Sequence, residues 1–351
     1  MSVDVTFGQK KNLGLITLAR PNALNALTLA MIKTIQQQLI AWQLDDAIHA
    51  VVIQGEGEKA FCAGGDVRWL YEQGRHHDAL LMQFFWHEYR LNNYIHHYPK
   101  PYIALLNGMT MGGGVGVSLH GSHSIASERF KFAMPETTIG FFPDIGSSHL
   151  LSRCPGELGA YLGLTGNRLN AEDAYFCKLI KAIVPSARFS ELIITLTETN
   201  LTHDPFKKVD ECVAALAITP PTAPIQTHLN LINACFSAAT IEEVLARLVK
   251  NGTEWANTVR AELLDKSPLS LKVTLEQLRR AKNLSMAECI KMDYGLVVHF
   301  MADSDFYEGV RALLIDKDKS PKWQPPTLSE VSHAKVADYF ECKCDELDLI
   351  E

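Results

Sequence analysis

Residues 100–121 read KPYIALLNGMTMGGGVGVSLHG. Tyr102–Leu106 is a continuous apolar run, as expected of a strand buried on both faces. Asn107-Gly108 ends it, and the cluster Gly112-Gly113-Gly114-Val115-Gly116 follows. The same order occurs earlier. Ala50-Val51-Val52-Ile53-Gln54 is a second buried-strand run, and Ala63-Gly64-Gly65-Asp66 comes after it. In both places a helix is expected to start at the glycines. Backbone N–H groups at a helix start have no internal partner, and glycine lets a ligand approach them closely. No Gly-Lys-Ser/Thr follows either cluster, and the strict G-x-G-x-x-G order is absent, so neither loop is a standard phosphate cradle. Two such loops from neighbouring strands can aim one N–H each at a shared point, which would make an oxyanion hole for acyl or enolate chemistry. Plain backbone geometry is the alternative on these residues alone.

The flanking sequence has a strand–helix rhythm to about residue 185. Val3–Phe7 and Leu13–Leu18 read as short strands around the turn Lys10-Lys11-Asn12. Thr28 is placed to N-cap a helix with Ile32, Ile35, Leu39 and Trp42 on one face. Asp66 is placed to cap the helix after the first glycine loop. A long helical stretch, roughly 78–97, ends at His97-Tyr98-Pro99, and short strands are expected near 124–126 and 130–134. This predicts an α/β core with helices over a mostly parallel sheet. After about 200 the chain reads as mainly helical. Thr240 with Glu243, and Ser285 with Glu288, have the spacing of capping boxes. The first opens a stretch with Ile241, Val244, Leu245, Leu248 and Val249 on one face, closed by Asn251-Gly252. Asp204-Pro205 and Thr219-Pro220-Pro221 are read as loops near the junction. The division expected is 1–200, an α/β core, and 201–351, a helical region packing on it.

Composition narrows the function classes. The 351 residues are 47% hydrophobic and 21% charged, an ordinary globular mix, and the net charge is −7. That balance argues against nucleic acid as a partner. The eight cysteines are scattered without a zinc-like spacing, and Cys342 and Cys344 are expected to be solvated. His87, His96 and His97 show no ligand spacing, so no metal is expected. No run of about 18 apolar residues suggests a membrane span, and the N-terminus has no basic and apolar leader pattern. The expectation is a cytoplasmic protein without a membrane partner.

Residues 133–146, AMPETTIGFFPDIG, place Glu136 and Asp144 among Ile139, Phe141, Phe142 and Pro143. Ionised carboxylates are costly in such company. Ile139, Phe141 and Phe142 are expected to wall a dry pocket, with Gly140 and Pro143 re-aiming the chain so that both acids point inward. Burial and mutual repulsion would push the two titrations apart, leaving one acid as base or nucleophile and the other as hydrogen-bonding partner. Taken singly, Glu136 also fits a helix N-terminal charge, and Asp144 a turn residue.

Together these segments resemble the crotonase (enoyl-CoA hydratase/isomerase) superfamily, and within it the 3-hydroxyisobutyryl-CoA hydrolase branch. The carrying motifs are KAFCAGGDVRWL at 59–70, HEYRLNNYI at 87–95, residues 100–121, FAMPETTIGFFPDIG at 132–146 and DFYEGVRALLIDKDKSPKW at 305–323. The resemblance implies a crotonase-like spiral of ββα units with a mainly helical C-terminal region. It implies an oxyanion hole from the N–H groups of Gly65 and Gly113, and catalytic roles for Glu136 and Asp144. Glu88, Gly113, Glu136 and Asp144 would contact an acyl-CoA substrate. No cofactor is implied, coenzyme A being part of the substrate. Hydratases of the superfamily carry a catalytic Glu three residues after the middle glycine, where this chain has Gly116. The implied reaction is hydrolysis of a small 3-hydroxyacyl-CoA thioester, as in valine breakdown. An enoyl-CoA hydratase or isomerase, and a catalytically silent acyl-CoA-binding protein, are the rivals. Lys317, Lys319 and Lys322 are either near coenzyme A phosphates or a solvated cluster. Superfamily members are often trimers or pairs of trimers, so a homo-oligomer is an open expectation.

Overall fold

The computed structural model describes residues 4–341 and 347–349, so Cys342 and Cys344 lie outside the described residues. Strands β1 (Val5–Lys10) and β2 (Leu13–Leu18) form an antiparallel hairpin, and β2 runs parallel to β3 (Ala50–Gly55). The next strands are β4 (Ala60–Cys62), β5 (Tyr102–Leu106), β6 (Met109–Met111), β7 (His123–Ala126), β8 (Lys131–Ala133) and β9 (Ala182–Ile183). They divide between two sheets. The larger has the order β1-β2-β3-β5-β7-β9, and the smaller β4-β6-β8.

From β3 onward, consecutive strands therefore alternate between the sheets. From β3 the chain visits the large sheet, then the small one, then a helical segment, and repeats. This is the spiral of ββα units that the resemblance implied. Val51 and Ile53 face the main core, whereas Ala50 and Val52 face a second apolar cluster on the opposite side. Burial on both faces explains the unbroken apolar reading of β3 and β5.

The small sheet was not foreseen between the apolar runs and the glycine loops. Each glycine loop follows a three-residue strand, β4 or β6, rather than β3 or β5 directly. Three residues carry too short a period to stand out in sequence. The consequence is geometric. The ends of β4, β6 and β8 lie side by side, with Ala60 opposite Met109 and Met111 opposite Ala133. The segments after them, 63–66, 112–116 and 134–146, emerge at one edge.

Thr28 caps the helix Leu29–Leu44, and Ile32, Ile35, Leu39 and Trp42 are buried as expected. Asp66 caps Val67–Arg75. The long helix is Leu80–His96. Ser285 and Glu288 form a complete capping box. At Thr240 only half forms, because Glu243 Oε2 accepts the N–H of Ala239 instead of Thr240. Val249 is exposed rather than on the buried face. Pro205 does not mark a loop; it opens the helix Pro205–Ala214 as an N1 proline. That helix and Phe189–Glu198 pack on the large sheet through Val209, Val213, Leu192 and Leu196. The six described cysteines are free and buried. Among the described residues, no helix is long and apolar enough to cross a membrane.

Candidate active site

A cavity of about 250 Å³ opens at the edge where the three small-sheet segments emerge. Gly64 and Gly65 line it from the first loop, Gly112 and Gly113 from the second, and Pro135, Glu136, Ile139, Phe141 and Asp144 from the third. Glu88 enters from the helix Leu80–His96, and Phe306, Leu313 and Leu314 close it from the C-terminal region. All five residues singled out in the sequence, Gly65, Glu88, Gly113, Glu136 and Asp144, thus meet in one cavity.

The two glycine loops touch. A Cβ added to Gly113 would stand 3.3 Å from the nitrogen of Gly65 and would run into the Glu88 carboxylate. Gly64 has φ +113° and Gly112 φ +47°, backbone that favours glycine. Among the described residues, the N–H groups of Gly65 and Gly113 donate to no backbone or side-chain acceptor. Two adjacent free donors facing an apolar cavity suit an oxygen that gains negative charge.

Three carboxyls are buried around this point: Glu88 is 2% exposed, Glu136 7% and Asp144 6%. Glu88 sits at helical spacing from Phe84 and Phe85 on the inward face. Its Oε1 and the Oε2 of Glu136 have no hydrogen-bond partner. Burial, reinforced by nearby Asp144, holds both glutamic acids well above the ordinary carboxylate range. Burial also pushes Asp144 up to about 7, against the opposing pull of a hydrogen bond from Tyr89. Carboxyls crowded in a dry site do not all ionise together. Such a set can supply one group as base or nucleophile and another as a donor of a proton or hydrogen bond.

Phe141 packs on Phe306 and Phe300 with ring centroids 5.5 Å away in each case. Phe142 does not reach the cavity; it lies behind the wall, 5.1 Å from the Phe300 ring. Lys317, Lys319 and Lys322 are exposed on the strand of chain beyond Leu314. Among the described residues, no group of three or more His, Cys, Asp or Glu side chains is arranged to hold a metal ion.

Sequence reasoning missed Tyr89, Gln277 and Asp293. Tyr89 lies one residue after Glu88 and four after Phe85, so helical spacing alone would have placed it on the inward face. Gln277 and Asp293 carried no local signal, because the loop groups they hold, the Pro143 carbonyl and the Gly146 N–H, lie well over a hundred residues away in sequence.

Residues 13–340 match a family model described as enoyl-CoA hydratase/isomerase. The chain is 42% identical to the 3-hydroxyisobutyryl-CoA hydrolase, mitochondrial, of Danio rerio, over 99% of this chain and 91% of that one. It is 40% identical to the Homo sapiens protein of the same name, over 96% of this chain and 88% of that one. Among solved structures, a carnitinyl-CoA dehydratase from Mycobacterium thermoresistibile superposes with a TM-score of 0.92 at 37% identity, covering 99% of both chains. An enoyl-CoA hydratase from Rhodobacter sphaeroides superposes with a TM-score of 0.89 at 38% identity, covering 96% of this chain and 97% of that one.

Proposed function

The chain belongs to the enoyl-CoA hydratase/isomerase family, and on that premise we propose that it hydrolyses the thioester of a small 3-hydroxyacyl-CoA, with 3-hydroxyisobutyryl-CoA as the first substrate. The observation that carries the reading is the meeting of Glu88, Glu136 and Asp144 with the free N–H groups of Gly65 and Gly113 in one cavity. The full-length likeness to relatives named for this hydrolysis supports it.

The thioester carbonyl oxygen lies between the Gly65 and Gly113 N–H groups, which polarise the C=O and stabilise the tetrahedral adduct. Glu136 either attacks the acyl carbon, giving a mixed anhydride that water then opens, or takes a proton from water as it attacks. The C–S bond breaks, and coenzyme A leaves as a thiolate that takes up a proton. Asp144 and Glu88 receive the substrate hydroxyl or the water. The apolar wall of Ile139, Phe141 and Phe306 fits a small branched acyl group. No cofactor is needed.

A hydratase reading meets a steric obstacle. Building a side chain at Gly116, where hydratases of the superfamily carry their other acid, would bring a Cβ to 2.6 Å from Asn92 Nδ2. The reading is tested by comparing 3-hydroxyisobutyryl-CoA with isobutyryl-CoA. A site that hydrogen-bonds the hydroxyl should favour the first by about 10² or more in kcat/KM. Equal turnover would remove the hydroxyl-reading role of Asp144 and Glu88. A homo-oligomeric state and a cytoplasmic location belong to the same proposal. Sedimentation and cell fractionation test them, the second against relatives named as mitochondrial.

A further inference from the structure

The loop that carries Asp144 is held in an unfavourable conformation. Ile145 has φ +59° and Gly146 φ +71°, two successive left-handed residues. For a β-branched residue this is a true outlier. Such a conformation persists only where the surroundings over-determine it, and it recurs at functional sites.

The surroundings here can be named. Gly146 N–H donates to Asp293 Oδ2 at 2.7 Å. Gln277 Nε2 donates to Asp293 Oδ1 at 2.7 Å and to the carbonyl oxygen of Pro143 at 2.9 Å. His120 Nε2 donates to the carbonyl oxygen of Ile145 at 2.8 Å. Asp293 is completely buried and so is Gln277. The backbone is therefore gripped immediately before Asp144 and again at the second residue after it. Gln277 lies on the helix Pro268–Ala281 and Asp293 on Met286–Ala302. A Cβ at Gly146 would meet Met286 Cε at 2.5 Å, so the same helix also fixes the loop sterically.

Burying a carboxyl is costly, and an apolar pair could fill this space. What an apolar pair could not do is accept the Gly146 N–H and hold the Pro143 carbonyl at once. We propose that Asp293 and Gln277 are positioning residues that force Ile145 into its left-handed conformation and so aim Asp144 into the cavity. Neither lines the cavity, so they act through Asp144 and not on substrate. The C-terminal helical region thereby supplies part of the active-site geometry. The inference rests on the role given above to Asp144.

The test uses the full chain with Asp293→Asn, which puts an amide hydrogen donor against Gly146 N–H or Gln277, and Gln277→Met, which removes the bridge at similar length. Two readouts are taken: kcat and KM for thiol release from 3-hydroxyisobutyryl-CoA, and amide hydrogen exchange over 142–150. Either variant should lower kcat by roughly 10²-fold while KM stays within about twofold, as a misplaced group does. Exchange should rise in 142–150 and stay unchanged elsewhere. Unchanged exchange in that segment overturns the grip. Raised exchange with an unaltered kcat overturns the positioning role, as does a loss of protection across the whole chain with kcat and KM failing together. Should Asp293→Asn not fold, Gln277→Met carries both readouts. If the unmodified protein releases no thiol, the proposed function falls, while local exchange still decides whether the grip exists.

Discussion

The phenol of Tyr89 donates a 2.8 Å hydrogen bond to Oδ2 of Asp144, and both groups are buried. The bond favours the charged form of Asp144 and draws its titration down toward about 7 from where burial alone would put it. Tyr89→Phe removes that help. The Asp144 titration should then move up, by about one to two pH units for a hydrogen bond to a charged group. The pH–rate profile of kcat/KM should show its acid limb displaced upward. An acid limb that stays in place would show that Asp144 ionisation does not limit the reaction.

Gly116 bears on the distinction between hydrolase and hydratase. Asn92 fills the space beside it, and neither Asn92 Nδ2 nor Oδ1 has a partner. Gly116→Glu should therefore overpack the site and lower stability by about 1–3 kcal/mol, typical of a group forced into a filled core. It should confer no hydration of crotonyl-CoA. Thermal melts and the loss of enoyl absorbance check this. A stable variant that hydrates crotonyl-CoA would contradict the steric argument.

Asp144 should cost the fold stability at alkaline pH. Its folded titration is raised, so the folded state binds more protons than the unfolded one between the ordinary aspartate range and about 7. The penalty is absent below that window, grows across it and is complete above it. Asp144→Asn removes the penalty and still accepts from Tyr89. The variant should be more stable than the parent by an amount on the order of a few kcal/mol at pH 8, shrinking toward pH 4. Denaturant unfolding at the two pH values measures it. A difference that grows on acidification would reverse the sign and refute the burial account.

Glu136 has a buried oxygen without a partner and faces the cavity. Glu136→Gln keeps its shape and removes its basicity. Turnover should fall by about 10²-fold or more, with the affinity for acyl-CoA, measured calorimetrically, largely kept. A fully active variant would rule out the mechanism.

Much of this site was legible locally. Thr28 and Asp66 announce helix starts by their position alone, and both glycine clusters mark loops that need close approach. Burial of Glu136 and Asp144 could be inferred from Ile139 and Phe141 beside them. Their assignment to one cavity came from resemblance, because β4 and β6 are too short to register as a period. Phe142 was placed in the pocket wall because a loop has no fixed alternation to say which of two adjacent rings faces inward. Thr240 shows the limit of a spacing rule, since Glu243 has two nearby backbone donors and takes Ala239. Gln277 and Asp293 read as ordinary helix residues. Their meaning depends on which distant loop the fold brings to them.

The most direct test follows free thiol and enoyl absorbance in parallel, with 3-hydroxyisobutyryl-CoA, 3-hydroxypropionyl-CoA, acetyl-CoA and crotonyl-CoA as substrates. Thiol release is expected from the 3-hydroxy substrates, with little from acetyl-CoA and no hydration of crotonyl-CoA. Loss of the enoyl absorbance without any thiol release would overturn the hydrolase assignment and make the protein a hydratase.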